Sequence, residues 1–285
     1  MATRLSNPST GAAQPFFFPS GGRPLYGVYH PPERQRGDAP LIVQCHSLGV
    51  EQLTPYRTEA LMARRAAALG FPTLRYHSRG HGDSGGDFAD VTFAALVEDA
   101  LAAAAVALDR AGPRPVIWLG VRFGALVAAG ARARQGGGAG LVLWEPTLRP
   151  RDFFRALLRG FLFSQVAKGK KPEKGADQLL ETVLRDGKLD VHGYYLHEAV
   201  VRSSLDLDLA GLLSEWRGPT LVVQIQERQS LAPGIAVLAQ GLERQGCRVE
   251  TARVPQEPGW SFVTNPAWEG EEAVRISAGW LDALA

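Results

Sequence analysis

Short, largely apolar runs of strand length, each bounded by polar or glycine-rich sequence, are the feature that most limits how this chain can fold. Leu41 to Cys45, Thr73 to Tyr76, Val116 to Leu119, Leu141 to Trp144 and Leu221 to Gln224 are such runs. Continuous rather than alternating apolarity, clearest in Leu41 to Cys45, predicts strands covered on both faces. Stretches of helical composition separate them: Tyr56 to Leu69 with Gly70 as a stop, a long Ala/Leu segment from Thr92 to Gly112-Pro113, and Ala125 to Arg134. Strand–helix alternation implies right-handed crossovers and a doubly wound, mostly parallel sheet. An opening hairpin is predicted from Phe16-Phe17-Phe18 and Leu25 to Tyr29 around Ser20-Gly21-Gly22, closed by Pro31-Pro32.

The pattern breaks between Pro150 and Arg217, where helical segments occur without a clear strand. It resumes with Leu221 to Gln224, a helix from Gly234 to Arg244, a strand from Arg248 to Val254 and a helix from Trp268 to Leu284. Residues 1–149 and 218–285 are therefore expected to form one core, and 150–217 a helical cap-like insert. No internal repeat is found. With 45% hydrophobic and 21% charged residues, a core of ordinary size is expected. The net charge of +2 and the lack of a long basic block argue against a nucleic-acid partner. Lys168 to Lys174, broken by Gly169, Pro172 and Glu173, reads as a solvated loop. Cys45 and Cys247 make neither a disulfide framework nor a zinc site. Met1 to Gln14 has no apolar signal core, and no stretch approaches the ~20 apolar residues of a membrane span. A cytoplasmic protein without cofactor or metal is expected, and no feature sets an oligomeric state.

The chemistry should sit where Val116-Ile117-Trp118-Leu119 runs into a helix through Gly120-Val121-Arg122-Phe123-Gly124. This resembles the α/β-hydrolase elbow, Gly-x-Ser-x-Gly, which holds the nucleophile on a sharp strand-to-helix turn. Here the central residue is Arg122, and a guanidinium cannot act as a nucleophile. Two further marks of that superfamily are present. His46-Ser47-Leu48-Gly49 stands where an oxyanion loop follows the buried strand, and Arg79-Gly80-His81-Gly82-Asp83-Ser84 matches a structural loop, which explains His77, His81 and Asp83 better than metal ligation does. The acid, expected after Leu221 to Gln224, is replaced by Arg228 or Gln229, with Glu227 a near miss and Glu145 another acid after an earlier strand. The histidine, expected in a Pro-Gly-His-Ser-Phe stretch, is replaced by Trp260 in Pro258-Gly259-Trp260-Ser261-Phe262. No general base is available where that fold presents one.

The resemblance narrows at Pro15-Phe16-Phe17, Gly82 to Phe88, Gly120 to Ala125 and Leu143 to Pro146. These are similar to the hydrolase-like proteins of bacterial exosortase and exopolysaccharide systems, with the strongest likeness over Pro15 to Arg159. Where those proteins carry Pro-Pro-Phe, this chain has Cys45-His46-Ser47, so the broader serine aminopeptidase-like group also fits. The resemblance implies the hydrolase fold and little about catalysis.

Several readings of the site follow. Arg122 either plugs the old pocket by pairing with Glu145 or Glu227, or forms an anion site with the amides of the following helix, Phe123 included. Trp260 fills the pocket or offers a stacking surface for a sugar or lipid. His46 and Ser47 could form an alternative hydrolytic pair, although sequence neighbours rarely point at each other. His192 and His197 read as solvated or packed. The function classes are a noncatalytic binding or scaffold protein holding a small anionic or sugar- or lipid-like ligand, a hydrolase with displaced catalytic residues, and an interaction protein whose pocket is filled.

Overall fold

The computed structural model describes residues 12–34, 36–257, 260 and 270–284. An antiparallel hairpin, β1 (Gln14–Ser20) and β2 (Arg23–His30), opens the chain, and Gly21 and Gly22 take the left-handed backbone its turn requires. Then follow β3 (Leu41–Cys45), α1 (Tyr56–Ala68), β4 (Thr73–Tyr76), α2 (Phe93–Ala111), β5 (Val116–Val121), α3 (Gly124–Gln135) and β6 (Gly140–Trp144). The insert contains α4 (Pro150–Ala167), α5 (Ala176–Asp186), β7 (Lys188–Val191), β8 (Tyr194–His197), α6 (Glu198–Ser204) and α7 (Leu209–Leu212). The core resumes with β9 (Thr220–Ile225), α8 (Pro233–Arg244), β10 (Val249–Val254) and α9 (Glu271–Leu284).

Eight strands form one sheet in the order β1-β2-β4-β3-β5-β6-β9-β10. β2 pairs antiparallel with β1 and β4, and every pair from β4 to β10 is parallel. Every residue of β3, β5, β6 and β9 is buried, as expected for strands covered on both faces. On one face Leu41, Val43 and Trp118 pack with Leu96 and Ala100 of α2 and Leu126 and Ala129 of α3. On the other, Ile42, Ile117 and Val223 pack with Met62 and Ala66 of α1 and Val274 and Leu281 of α9. The alanines of α2 permit close approach, and Thr92 caps it by accepting from the Ala95 amide at 3.1 Å.

Two boundaries differ from the sequence reading. The insert is not all-helical, because β7 and β8 form a small antiparallel sheet of their own. Its turn uses His192 and Gly193, both with positive φ (57° and 83°), the geometry of a two-residue hairpin connection. The last helix begins at Glu271. Met1 to Gly11 of the N-terminal segment, together with Pro258, Gly259, Ser261, Phe262 and Trp268, lie outside the described residues.

Candidate functional site

The end of β5 and the start of α3 make the turn that the glycine spacing predicts. Arg122 stands between them at φ 54°, a left-handed conformation that few side-chain-bearing residues adopt. The flanking glycines are steric necessities. A Cβ at Gly124 would overlap the carbonyl oxygen of Cys45, and one at Gly120 would lie 2.5 Å from the Ala125 Cα. The Arg122 amide donates to the Trp144 carbonyl at 2.9 Å, and its own carbonyl accepts from Thr147 at 3.1 Å, so the elbow is tied to the end of β6.

The Arg122 side chain forms a fork on Glu51. Its Nε donates to Oε2 at 3.1 Å and its Nη2 to Oε1 at 3.2 Å. Ser47 Oγ also donates to Glu51 Oε2, at 3.1 Å. Glu51 is 4% exposed and the arginine side chain 13%, so the pair is held largely out of water. The guanidinium lies 5.0 Å from the Trp260 ring and 5.8 Å from Phe153 of α4. Phe123, fully buried, packs on Phe153 and Phe154 with ring centres 5.1 and 6.0 Å away.

The partner of Arg122 is therefore neither Glu145 nor Glu227, the two acids expected from the sequence. Glu145 is buried and engaged elsewhere: its Oε2 accepts from the Ile225 amide at 2.6 Å and its Oε1 from Gln226 Nε2. Burial raises its carboxyl pKa, opposed by those two donors and by Arg122. Glu227 and Arg228 are exposed in the loop after β9. Glu51 went unnoticed because its role depends on a short helical turn, Gly49–Gln52, that folds the loop after β3 back over the elbow. The one sequence signal was an acid four residues after Ser47, on the oxyanion-type loop itself.

His46 cannot serve Ser47 as a base in this arrangement. Its Nε2 accepts from the Ser78 amide at 3.0 Å, so its Nδ1 carries the proton and donates to the Ser47 carbonyl at 2.6 Å. Burial, with His81 and His77 nearby, holds it well below the ordinary imidazole range. His81 is spent similarly, accepting from the Gly49 amide at 3.1 Å and donating to the Arg79 carbonyl at 2.9 Å, and burial lowers its pKa to about 4. Arg79 anchors this loop by pairing with fully buried Asp99 at 2.6 Å and with Glu98 at 2.7 Å. Among the described residues no group of three or more His, Cys, Asp or Glu side chains could hold a metal ion.

Open space lies against the short helical turn after β3 rather than at the elbow. A narrow, partly enclosed cleft separates the loop after β3 from the insert; Leu48, Val50, Phe88, Leu157, Val191 and Tyr194 are among its walls. The β7–β8 hairpin, which the sequence reading did not find, supplies part of that wall.

The family described as serine aminopeptidase, S33, matches residues 56–189, somewhat less than half of the chain. No curated protein is similar enough in sequence to match. Among solved structures, ferulic acid-bound Est1E from Butyrivibrio proteoclasticus superposes with a TM-score of 0.66 at 17% identity, over 94% of this chain and 96% of that one. An esterase from Pyrococcus furiosus gives 0.63 at 12% identity, over 95% and 91%. Proline iminopeptidase from Mycobacterium smegmatis gives 0.61 at 17% identity, over 95% and 98%. At these identities the likeness concerns the fold, and no helix of the described residues is long and apolar enough to cross a membrane.

Proposed function

We propose, from the premise that this chain has the α/β-hydrolase fold, that it is a noncatalytic binding protein which holds a small, largely apolar ligand between its core and its insert. The observation that carries this reading is the Arg122–Glu51 fork. It occupies the nucleophile position with a group that cannot attack, and it neutralises within the protein the charge that would otherwise recruit an anion. The anion-site reading of Arg122 is correspondingly disfavoured, and the plug reading favoured with Glu51 as partner. The histidines nearest the elbow have both ring nitrogens committed, which weighs against a displaced hydrolytic pair at His46 and Ser47. A shared fold does not carry a shared activity, so the esterase and peptidase neighbours do not outweigh the side chains present.

The ligand class follows from the cavity walls, which are aliphatic and aromatic with Tyr194 and Tyr195 as the hydroxyl-bearing members. That lining suits an acyl or aryl group. The resemblance to exosortase-associated proteins supports a lipid-linked or sugar-bearing molecule of an envelope-polysaccharide pathway as the natural occupant. Isothermal titration with decanoate and with ferulic acid tests the reading. Saturable binding by wild type that is lost in Leu157→Asp, which places in the wall a charge that repels both carboxylates, is expected. Equal heats from both proteins, or none from wild type, would refute it.

A further inference from the structure

A groove lies at the other end of the sheet, where β3 and β5 begin, whereas the elbow follows the end of β5. It holds about 470 Å³ of open space, a size that small molecules fill. Tyr29 of β2, Pro31, Pro32, Pro72, Arg110 of α2 and Arg114 are among its walls. Among the described residues no acidic side chain lines it, so two guanidinium groups set its charge. Arg110 lies 3.7 Å from the centre of the Phe16 ring and donates to Gln14 Oε1 at 3.3 Å. That stacking fixes the guanidinium in place and leaves most of its N–H groups unspent.

Arg114 donates to the carbonyls of Gly112 at 3.2 Å, Ala39 at 3.1 Å and Ala111. It thereby offsets the negative end of α2, which would otherwise oppose an anion here. Tyr29 is 5% exposed, and its hydroxyl has no hydrogen-bond partner among the described residues. Burial raises its pKa and the charges of Arg114 and Arg110 oppose that rise, so the hydroxyl stands within reach of both. Buried polar groups are nearly always paired, and a bare phenol donor beside an unspent guanidinium marks a place for an acceptor. The three prolines form a rigid apolar floor of the kind that packs on aromatic faces. We propose that this groove binds a small aryl oxyanion, its carboxylate or phosphate on Arg110 and the Tyr29 hydroxyl and its ring against Pro31, Pro32 and Pro72. The proposal does not depend on what the apolar cleft under the insert holds.

Isothermal titration of the full chain at low salt with phenyl phosphate, and separately with benzoate, tests it. Saturable one-to-one binding of at least one anion is expected, weakened at least about tenfold in Arg110→Gln because the charge is lost. Tyr29→Phe, which removes only an unpaired hydroxyl, should weaken binding about threefold and gives the same test if Arg110→Gln proves insoluble. Leu157→Asp, in the cleft under the insert, should leave the affinity unchanged, which separates the two sites. No saturable binding of either anion by wild type, undiminished affinity in folded Arg110→Gln, or loss of binding in Leu157→Asp would overturn the assignment.

Discussion

Arg122 keeps the strained backbone of a nucleophile, φ 54°, without the chemistry that strain serves in hydrolases. Its side chain is held by the fork on Glu51, and removing one partner of a largely buried pair leaves the other as an uncompensated charge. Arg122→Met should therefore lower stability by about 3 kcal/mol, while the double variant Arg122→Met/Glu51→Gln should recover most of that loss. Urea denaturation of the two variants measures the difference; equal losses would mean that the ion pair contributes little. A single Arg122→Ser change should create no esterase activity, since no free histidine base accompanies it. At this scale the sequence was informative about identity and silent about pairing. The glycine spacing located Arg122 on the strand-to-helix turn, and Trp260, singled out from the sequence for the same site, packs beside it. Glu51 could not be read, because a fork between residues far apart in the chain is made by a loop's path rather than by any local pattern.

The elements show the same division. Parallel strands and crossover helices leave strong local signatures, so β3, β5, β6 and β9 were legible as apolar runs and α2 by its capped, alanine-rich helix. The β7–β8 hairpin was not, because its four-residue strands are half exposed and its turn residues, His192-Gly193, are a weaker hairpin signal than Asn-Gly. It still matters to the site, as it closes one side of the apolar cavity. The elbow makes a sharp packing prediction. Gly124→Ala drives a methyl group into the Cys45 carbonyl and should cost more than about 3 kcal/mol or prevent folding. Gly241→Ala, inside α8 with no atom within 4 Å of the new methyl, should stabilise by about 0.5–1 kcal/mol. Thermal melts of the two variants check both signs, and a tolerated Gly124→Ala would contradict the geometry of the elbow.

For the molecule as a whole, buried imidazoles set the response to acid. His30 and His81 titrate at about 4, mainly through burial, and His46 lies lower than its ordinary range for the same reason. Unfolding releases them to protonate near 6.5, so the stability they contribute above that pH is lost as pH falls toward 4. Glu59 acts in the opposite sense. Burial raises its pKa to about 7, against the pull of Arg75, so its contribution is full below the ordinary carboxylate value of 4.5 and is lost as pH rises to 7. The histidines outweigh Glu59 and Glu145, whose carboxyl pKa burial also raises, and Tm should fall between pH 7 and pH 4.5. It should fall more steeply in Glu59→Gln, and melting curves across that range would contradict the account if Tm rose on acidification or if the variant's slope were shallower. The proposed function requires that this α/β-hydrolase fold present no hydrolytic nucleophile at its elbow. Intact-protein mass spectrometry after prolonged exposure to excess alkyl fluorophosphonate tests it most directly. The account predicts an unmodified mass for wild type and for Arg122→Ser, whereas a stoichiometric adduct on Ser47 of the wild-type protein would contradict it.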